Sequence, residues 1–187
     1  MSLVRQGVQF DKKLLDSDAL KIVKKLDKLG YEAYLVGGCI RDLLLGYAPK
    51  DFDIATNATP EQIQKIFKRS RIIGRRFKLV HIMFSARKFI EVATFRSSKT
   101  NPTSTKGMVL RDNFYGSIKD DVFRRDFTIN GLYFDVKNSQ VLDYVQGLED
   151  IKKLQINMIG DPSERFEEDP VRMIRAVRFK AKLNAAI

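Results

Sequence analysis

Asp51 and Asp53 stand two residues apart in the run LVGGCIRDLLLGYAPKDFDIAT, residues 35–56. On a strand, side chains alternate with period two, so both carboxylates project from one face. Two neighbouring anions repel each other unless a cation lies between them. Just upstream, Gly37-Gly38 closes an expected strand and opens a short apolar helix. A glycine turn at a helix N-terminus lets backbone N–H groups approach a phosphate closely, and Arg41 and Lys50 add positive charge beside it. A phosphate cradle followed by a carboxylate pair suits nucleotidyl transfer, in which two divalent ions roughly 3.5–4 Å apart bracket the attacking and leaving oxygens. An Asp-x-Asp by itself is common at solvated strand ends. The Gly-Gly-x-x-Arg-Asp turn before it supplies the specificity.

Further residues have types that fit this chemistry. Glu91, in FIEVATF, is a candidate third carboxylate, because a charge flanked by apolar residues on a strand needs either solvent or a cation. An ordinary exposed strand residue is the alternative, and both readings stand. Arg41, one turn into the helix, is placed to bind a triphosphate; its alternative is a surface ion pair with Asp42 or Asp51. Asp169 and Arg172 are three apart, so on a helix they share a face. A carboxylate accepts from an exocyclic amine and an arginine donates to a ring nitrogen, so the two can read the edge of adenine or cytosine without a template. The local alternative makes Asp169 an N-cap and Pro170 the first helical residue. His81 and Cys39 have no partners at catalytic spacing and read as structural.

The elements that position these groups follow from periodicity. Leu15, Ala19, Ile22, Val23, Leu26 and Leu29 recur at helical spacing and predict a helix over 11–29, with Gly30 where a C-cap belongs. A strand at 31–36, a helix at 39–45 and a strand at 52–55 carry the glycine turn and the aspartates. Thr59-Pro60 opens a helix to about Phe67. Residues 72–73, 79–84 and 89–95 read as strands, the last two as a hairpin. Residues 97–121 are polar, lack sustained periodicity and read as a loop. Residues 128–135 and 141–143 are too short in their apolar runs to separate helix from strand. From Ser163 the pattern turns helical, with Val171, Ile174, Val177 and Ala181 as an apolar stripe. The expected fold class is α+β, a mixed and mainly antiparallel sheet flanked by helices.

Composition excludes several classes of protein. Hydrophobic residues make up 44% and charged residues 30% of the 187, which is ordinary for a globular chain large enough to bury a core. No apolar run has the length to span a bilayer, and the start, MSLVRQGVQF, lacks the apolar core of a signal peptide; no membrane partner is expected. One cysteine excludes an internal disulfide and fits a cytoplasmic setting. One histidine and one cysteine exclude a Cys/His zinc cage, so a metal must rest on oxygen ligands, which favours Mg²⁺ or Mn²⁺. With 34 Lys+Arg against 23 Asp+Glu the net charge is +11, and no acidic residue occurs from Gln62 to Ile90. Such a field attracts a polyanion without sequence specificity. A solvated basic face that serves solubility is the bland alternative.

The motif LVGGCIRDLLLG…KDFDIAT resembles the signature of the class II tRNA nucleotidyltransferase and bacterial poly(A) polymerase family, within the DNA polymerase beta-like superfamily. RRDFTINGLYFD (124–135) and EEDPVRMIRAVRF (167–179) resemble two further motifs of that family in the same order. The resemblance runs from about residue 20 to the end. It implies a nucleotidyltransferase head over 1–160 and the start of a helical neck over 161–187, a piece of a longer chain. It implies Asp51 and Asp53 as metal ligands, Glu91 beside them, and Gly37, Gly38 and Arg41 against the triphosphate. Arg125 and Asp126 would lie at the nucleotide, with Asp126 on the ribose, and Asp169 and Arg172 would read the base. The substrates would be ATP and an RNA 3′ end, in mRNA or other transcripts. RIIGRRFKLVHIMF (71–84) resembles the poly(A) polymerase form of its segment more than the CCA-adding form, so poly(A) synthesis is the first expectation and CCA addition to tRNA the second. A non-catalytic RNA-binding module is a third reading, which the two aspartates disfavour.

Overall fold

The computed structural model describes residues 3–74, 77–97 and 115–187. Helix α1 (Ser17–Lys28) starts later than its apolar periodicity suggests, because the Asp16 carboxylate accepts the N–H groups of Asp18 and Ala19 at 2.8 and 3.0 Å. That cap satisfies the first free donors of the helix, while Asp11–Leu14 closes a separate turn. Ala19, Ile22, Val23 and Leu26 are buried at the expected helical spacing, whereas Leu29 is left exposed. Gly30, at φ +83°, takes the left-handed conformation that ends the helix.

Eight strands form one sheet among the described residues. They are β1 (Val4–Gly7), β2 (Ala33–Val36), β3 (Asp53–Thr56), β4 (Ser70–Ile73), β5 (Leu79–Met83), β6 (Phe89–Thr94), β7 (Leu132–Asp135) and β8 (Gln140–Asp143), in the order β1-β8-β7-β2-β3-β6-β5-β4. Neighbours are antiparallel except β3 and β6, which run parallel with Asp53 opposite Glu91. The sheet is therefore mixed and mainly antiparallel, as expected. One face packs on α1, α2 (Gly38–Leu44) and α3 (Pro60–Ile66) through Leu35, Ile54, Ile63, Val80 and Val92. A smaller core on the opposite face joins Val36, Ala55, Phe95 and Tyr133 to Val122. The hairpin of β5 and β6 shows the two-residue alternation directly: Ile82, Ile90 and Val92 are buried, while His81, Phe89 and Glu91 keep exposed surface.

Thr59 and Gln62 close a capping box at the start of α3, with Pro60 in its first turn. The expected loop over 97–121 is corrected at its end: Ile118–Phe123 forms helix α4, capped reciprocally by Ser117 and Asp120. Residues 98–114 of that segment, and Arg75 and Arg76, lie outside the described residues. Thr128–Asn130 is one 3₁₀ turn leading into β7, so the short apolar run is a turn followed by a strand. Gly147–Lys153 forms α5, which the sequence pattern did not announce. The helical pattern after Ser163 divides into α6 (Pro162–Glu168) and α7 (Val171–Leu183). Asp169 precedes a proline and adopts φ −153° and ψ 94°, outside the helical region. The stripe of Val171, Ile174 and Val177 stays on the surface, and α7 buries Ala176 and Phe179 instead.

Candidate active site

A cleft of about 490 Å³ opens where α2, the start of β3, the segment at 125–130 and one face of α7 meet. Gly37 links β2 to α2 at φ +75° and ψ −133°, a conformation open to glycine. Its own N–H is taken by the Leu132 carbonyl at 3.1 Å. A Cβ there would lie 3.4 Å from the Arg125 guanidinium, so glycine also allows that arginine to come close. Gly38 and Cys39 open α2, and as the first residues of a helix their N–H groups have no acceptor within it. Cys39 itself is inert. Its buried thiol lies 3.2 Å from the Val36 carbonyl, and burial pushes its pKa up to about 12.

Asp51 and Asp53 are exposed at the cleft while Phe52 and Ile54 are buried, so the two carboxylates share a side of the chain. Strand β3 starts at Asp53, one residue later than expected. The parallel register puts Glu91 beside Asp53. Asp53 retains contact with solvent, yet surrounding protein and then the Glu91 charge push its carboxyl up to about 6; Arg125 opposes this and Asp51 adds to it. His81, opposite Glu91 on β5, places its Nε2 3.4 Å from Glu91 Oε2. This gives the histidine an acidic partner that its sequence position did not reveal.

Arg41 is 4% exposed, and its contacts are those of a buried ion pair. It donates to Asp42 Oδ1 from Nε and Nη2 at 2.9 and 2.7 Å, and to Asn130 Oδ1 at 2.6 Å. The pairing with Asp42 considered from sequence is thus present, but inside the cleft wall rather than on the surface. Lys182 of α7 reaches the other Asp42 oxygen at 3.0 Å. Arg125 is fixed from behind: Nε donates to the Tyr133 hydroxyl at 2.7 Å and Nη2 to Asp121 at 3.1 Å, while Tyr133 donates to Asp121 at 2.5 Å. Burial holds the Tyr133 hydroxyl well above its ordinary pKa, so it stays a neutral donor. Tyr133→Phe should leave Asp121 one donor short and Arg125 Nε without its acceptor, costing about 1–2 kcal/mol in urea denaturation. An unchanged unfolding midpoint would contradict that linkage.

The remaining sequence candidates divide into two groups. Asp126 lies in the cleft, accepting from Arg175 Nε and Nη2 at 2.7 and 2.6 Å and from the Phe127 N–H at 2.8 Å. Asp169 and Arg172 do not line it. The Asp169 carboxylate caps the Val171 N–H at 3.1 Å, and Arg172 donates to the Arg165 carbonyl and Glu168 at 2.6 and 2.9 Å. Arg165 in turn donates to the carbonyls of Arg124 and Arg125, both at 2.8 Å, so Arg172 connects to the cleft through α6. The face of α7 that does enter the cleft carries Arg175, Arg178, Phe179 and Lys182. Sequence reading missed these residues, although their i, i+3, i+4, i+7 spacing marks one helical face.

The chemistry of the donors can be tested against a metal. Among the described residues no group of three His, Cys, Asp or Glu is gathered closely enough to hold an ion without rearrangement. Asp51 and Asp53, with Glu91 next to them, offer oxygen donors alone; burial first, and then the neighbouring carboxylate charges, raise Asp53. A hard divalent cation such as Mg²⁺ or Mn²⁺ offsets those charges, so the residues fit one.

An α+β sheet that delivers a glycine turn and strand-end carboxylates to one cleft is the architecture of a nucleotidyltransferase head. Residues 33–157 match the family described as the poly A polymerase head domain, and the chain belongs to that family. It is 52% identical to poly(A) polymerase I of Salmonella typhi, in an alignment covering 98% of this chain and 41% of the relative. It is 38% identical to the CCA-adding enzyme of Bacillus pumilus over 88% of this chain and 40% of that enzyme. Among solved structures, the Bacillus stearothermophilus CCA-adding enzyme in complex with CTP superposes with a TM-score of 0.76 at 38% identity, covering 90% of this chain and 39% of that one. The chain thus spans about 41% of the length of the poly(A) polymerase relative.

Proposed function

We propose that the protein is a template-independent polynucleotide adenylyltransferase, which transfers AMP from ATP to the 3′-hydroxyl of RNA and releases pyrophosphate. The observation that carries this reading is the placement of Asp51 and Asp53 in the cleft that also holds the Gly37 turn, with Glu91 paired beside Asp53 across the sheet. Asp51 and Asp53 are the ligands for Mg²⁺ or Mn²⁺. Bound there, divalent ions lower the pKa of the attacking hydroxyl and neutralise charge on the departing pyrophosphate. The first N–H groups of α2, with Lys50 and the cations of α7, receive the triphosphate. Arg125 stands beside the phosphates, and Asp126 accepts from the ribose once Arg175 gives way. Asp169 and Arg172 stand outside the cleft in this arrangement. They read the adenine edge once α6 and the start of α7 bring them to it, with Arg172 exchanging Glu168, and Asp169 the Val171 N–H, for the base. Residues 1–160 are the catalytic head and 161–187 the start of a neck, in a protein of the cytoplasm.

The preference for poly(A) synthesis rests on 52% identity to a poly(A) polymerase against 38% to a CCA-adding enzyme. CCA addition to tRNA is the second reading, supported by the likeness to an enzyme solved with CTP. Supplying tRNA that lacks its terminal nucleotides separates the two. AMP addition without CMP addition is expected of the full-length protein, and equal use of CTP would overturn the first reading.

A further inference from the structure

A row of side chains crosses the sheet from the carboxylates to its edge. Asp53 on β3 faces Glu91 on β6, Glu91 faces His81 on β5, and His81 faces Arg71 on the edge strand β4. Side chains directly paired across strands stand on the same face. Phe89, two residues before Glu91, shares that face and stacks on the His81 ring with centroids 4.0 Å apart and planes 16° apart. The opposite face of this hairpin is buried, yet Phe89 is 48% exposed. Folding alone does not call for a large apolar ring there. One side of the ring is braced by imidazole, and the imidazole stands 3.4 Å from Glu91, the strand partner of Asp53.

We propose that Phe89, backed by His81, is the platform on which the base of the RNA's 3′-terminal nucleotide stacks, so that its 3′-hydroxyl comes to Asp53 and Glu91. This deepens the adenylyl-transfer reading and rests on it. Phe89 lies about 7 Å from Glu91 along β6, and β3 is about 4.8 Å further across. Ring and carboxylates therefore fall within the span of one nucleotide. Stacking suits a primer of no fixed sequence, because every base has a π face. The charge is complementary as well: exposed Arg69, Arg71 and Arg87 lie on β4 and around the hairpin, within the stretch that has no acidic residue. RNA phosphates leading to the terminal base meet cations there. Phe89 positions the primer, and His81 holds the ring and Glu91 in one arrangement.

The test uses the full-length protein and a short oligoadenylate whose 3′-terminal base is 2-aminopurine, which loses fluorescence when stacked. Binding should quench the probe with the native protein and with Phe89→Trp, but not with Phe89→Ala. In extension assays Phe89→Ala should raise KM for RNA on the order of tenfold, with KM for ATP unchanged and Phe89→Trp restoring the native value. An abasic 3′-terminal nucleotide should weaken the native protein and leave Phe89→Ala indifferent. Quenching that survives in Phe89→Ala while AMP is still added would overturn the platform and spare the transfer reading. Quenching that depends on residue 89 without any AMP addition would keep the platform and overturn the transfer reading.

Discussion

Asp53→Asn should abolish nucleotide addition and, in the same protein without metal, raise thermal stability at neutral pH. Loss of a charge that stabilises the transition state predicts a fall in kcat on the order of a thousandfold or more. The gain in stability has a separate cause. The folded-state pKa of Asp53 is raised from 3.8 to about 6 by burial and by Glu91. The folded protein then holds the proton more tightly than the unfolded chain does. The stabilising contribution is complete below pH 3.8 and is lost as the pH rises through about 6. Above that range an ionised Asp53 repels Glu91 and Asp51, and asparagine removes the repulsion. Solvent in the cleft screens the effect, so the sign of the Tm change is the quantity to read. Metal-free native protein should lose Tm between those pH values, and the Asp53→Asn variant should not. Mg²⁺ should raise Tm of the native protein and leave the variant unmoved. A variant that is less stable, or that still adds nucleotides, would contradict the assignment.

Arg41→Ala should be the most damaging single change to the fold of the site. Arg41 is buried, and it satisfies both Asp42 and Asn130 while lying over the Phe179 ring at 5.1 Å. Removing one partner of a buried ion pair leaves a charge without compensation, at a cost of about 3–5 kcal/mol. Lys182 retains a contact to Asp42, which places the expected loss near the lower end, at about 3 kcal/mol. Urea denaturation measures it. The Arg41→Ala, Asp42→Ala double variant should recover part of the loss, because it removes the stranded carboxylate along with its partner. A single-variant cost below about 0.5 kcal/mol would show that the pair is solvated rather than buried.

These two sites were unequally legible in the sequence. The glycine turn and the Asp51–Asp53 pair are local, so spacing alone placed the two carboxylates on one side of the chain, although β3 begins only at Asp53. Capping signals were equally readable at Thr59-Pro60. Ser117 and Asp120 form a similar pair, but it sits in a polar stretch with no apolar periodicity behind it. The register of Glu91 against Asp53 was not legible, since it depends on a parallel pairing between distant segments. His81 and Glu91 are close in sequence on the expected hairpin, but their contact depends on its register, and the triad of Arg125, Tyr133 and Asp121 depends on how α4 packs against β7; spacing gives neither. In α7 the apolar residues drew attention to a stripe that turns out to face solvent. The stripe that enters the cleft is mostly cationic, and apolar periodicity passes over it. Asp169 and Arg172 were placed on one helical face, yet Pro170 breaks the chain between α6 and α7 and leaves Asp169 outside the helix.

The most direct test is extension of a 3′-hydroxyl RNA unrelated to tRNA, resolved at single nucleotides, with each of the four nucleoside triphosphates alone in Mg²⁺. A ladder of added AMP with ATP only, lost in Asp53→Asn and on chelation of the metal, is the predicted result. Equal incorporation of CMP from CTP, or an ATP ladder that persists in Asp53→Asn, would contradict adenylyl transfer at the Asp51–Asp53 cleft.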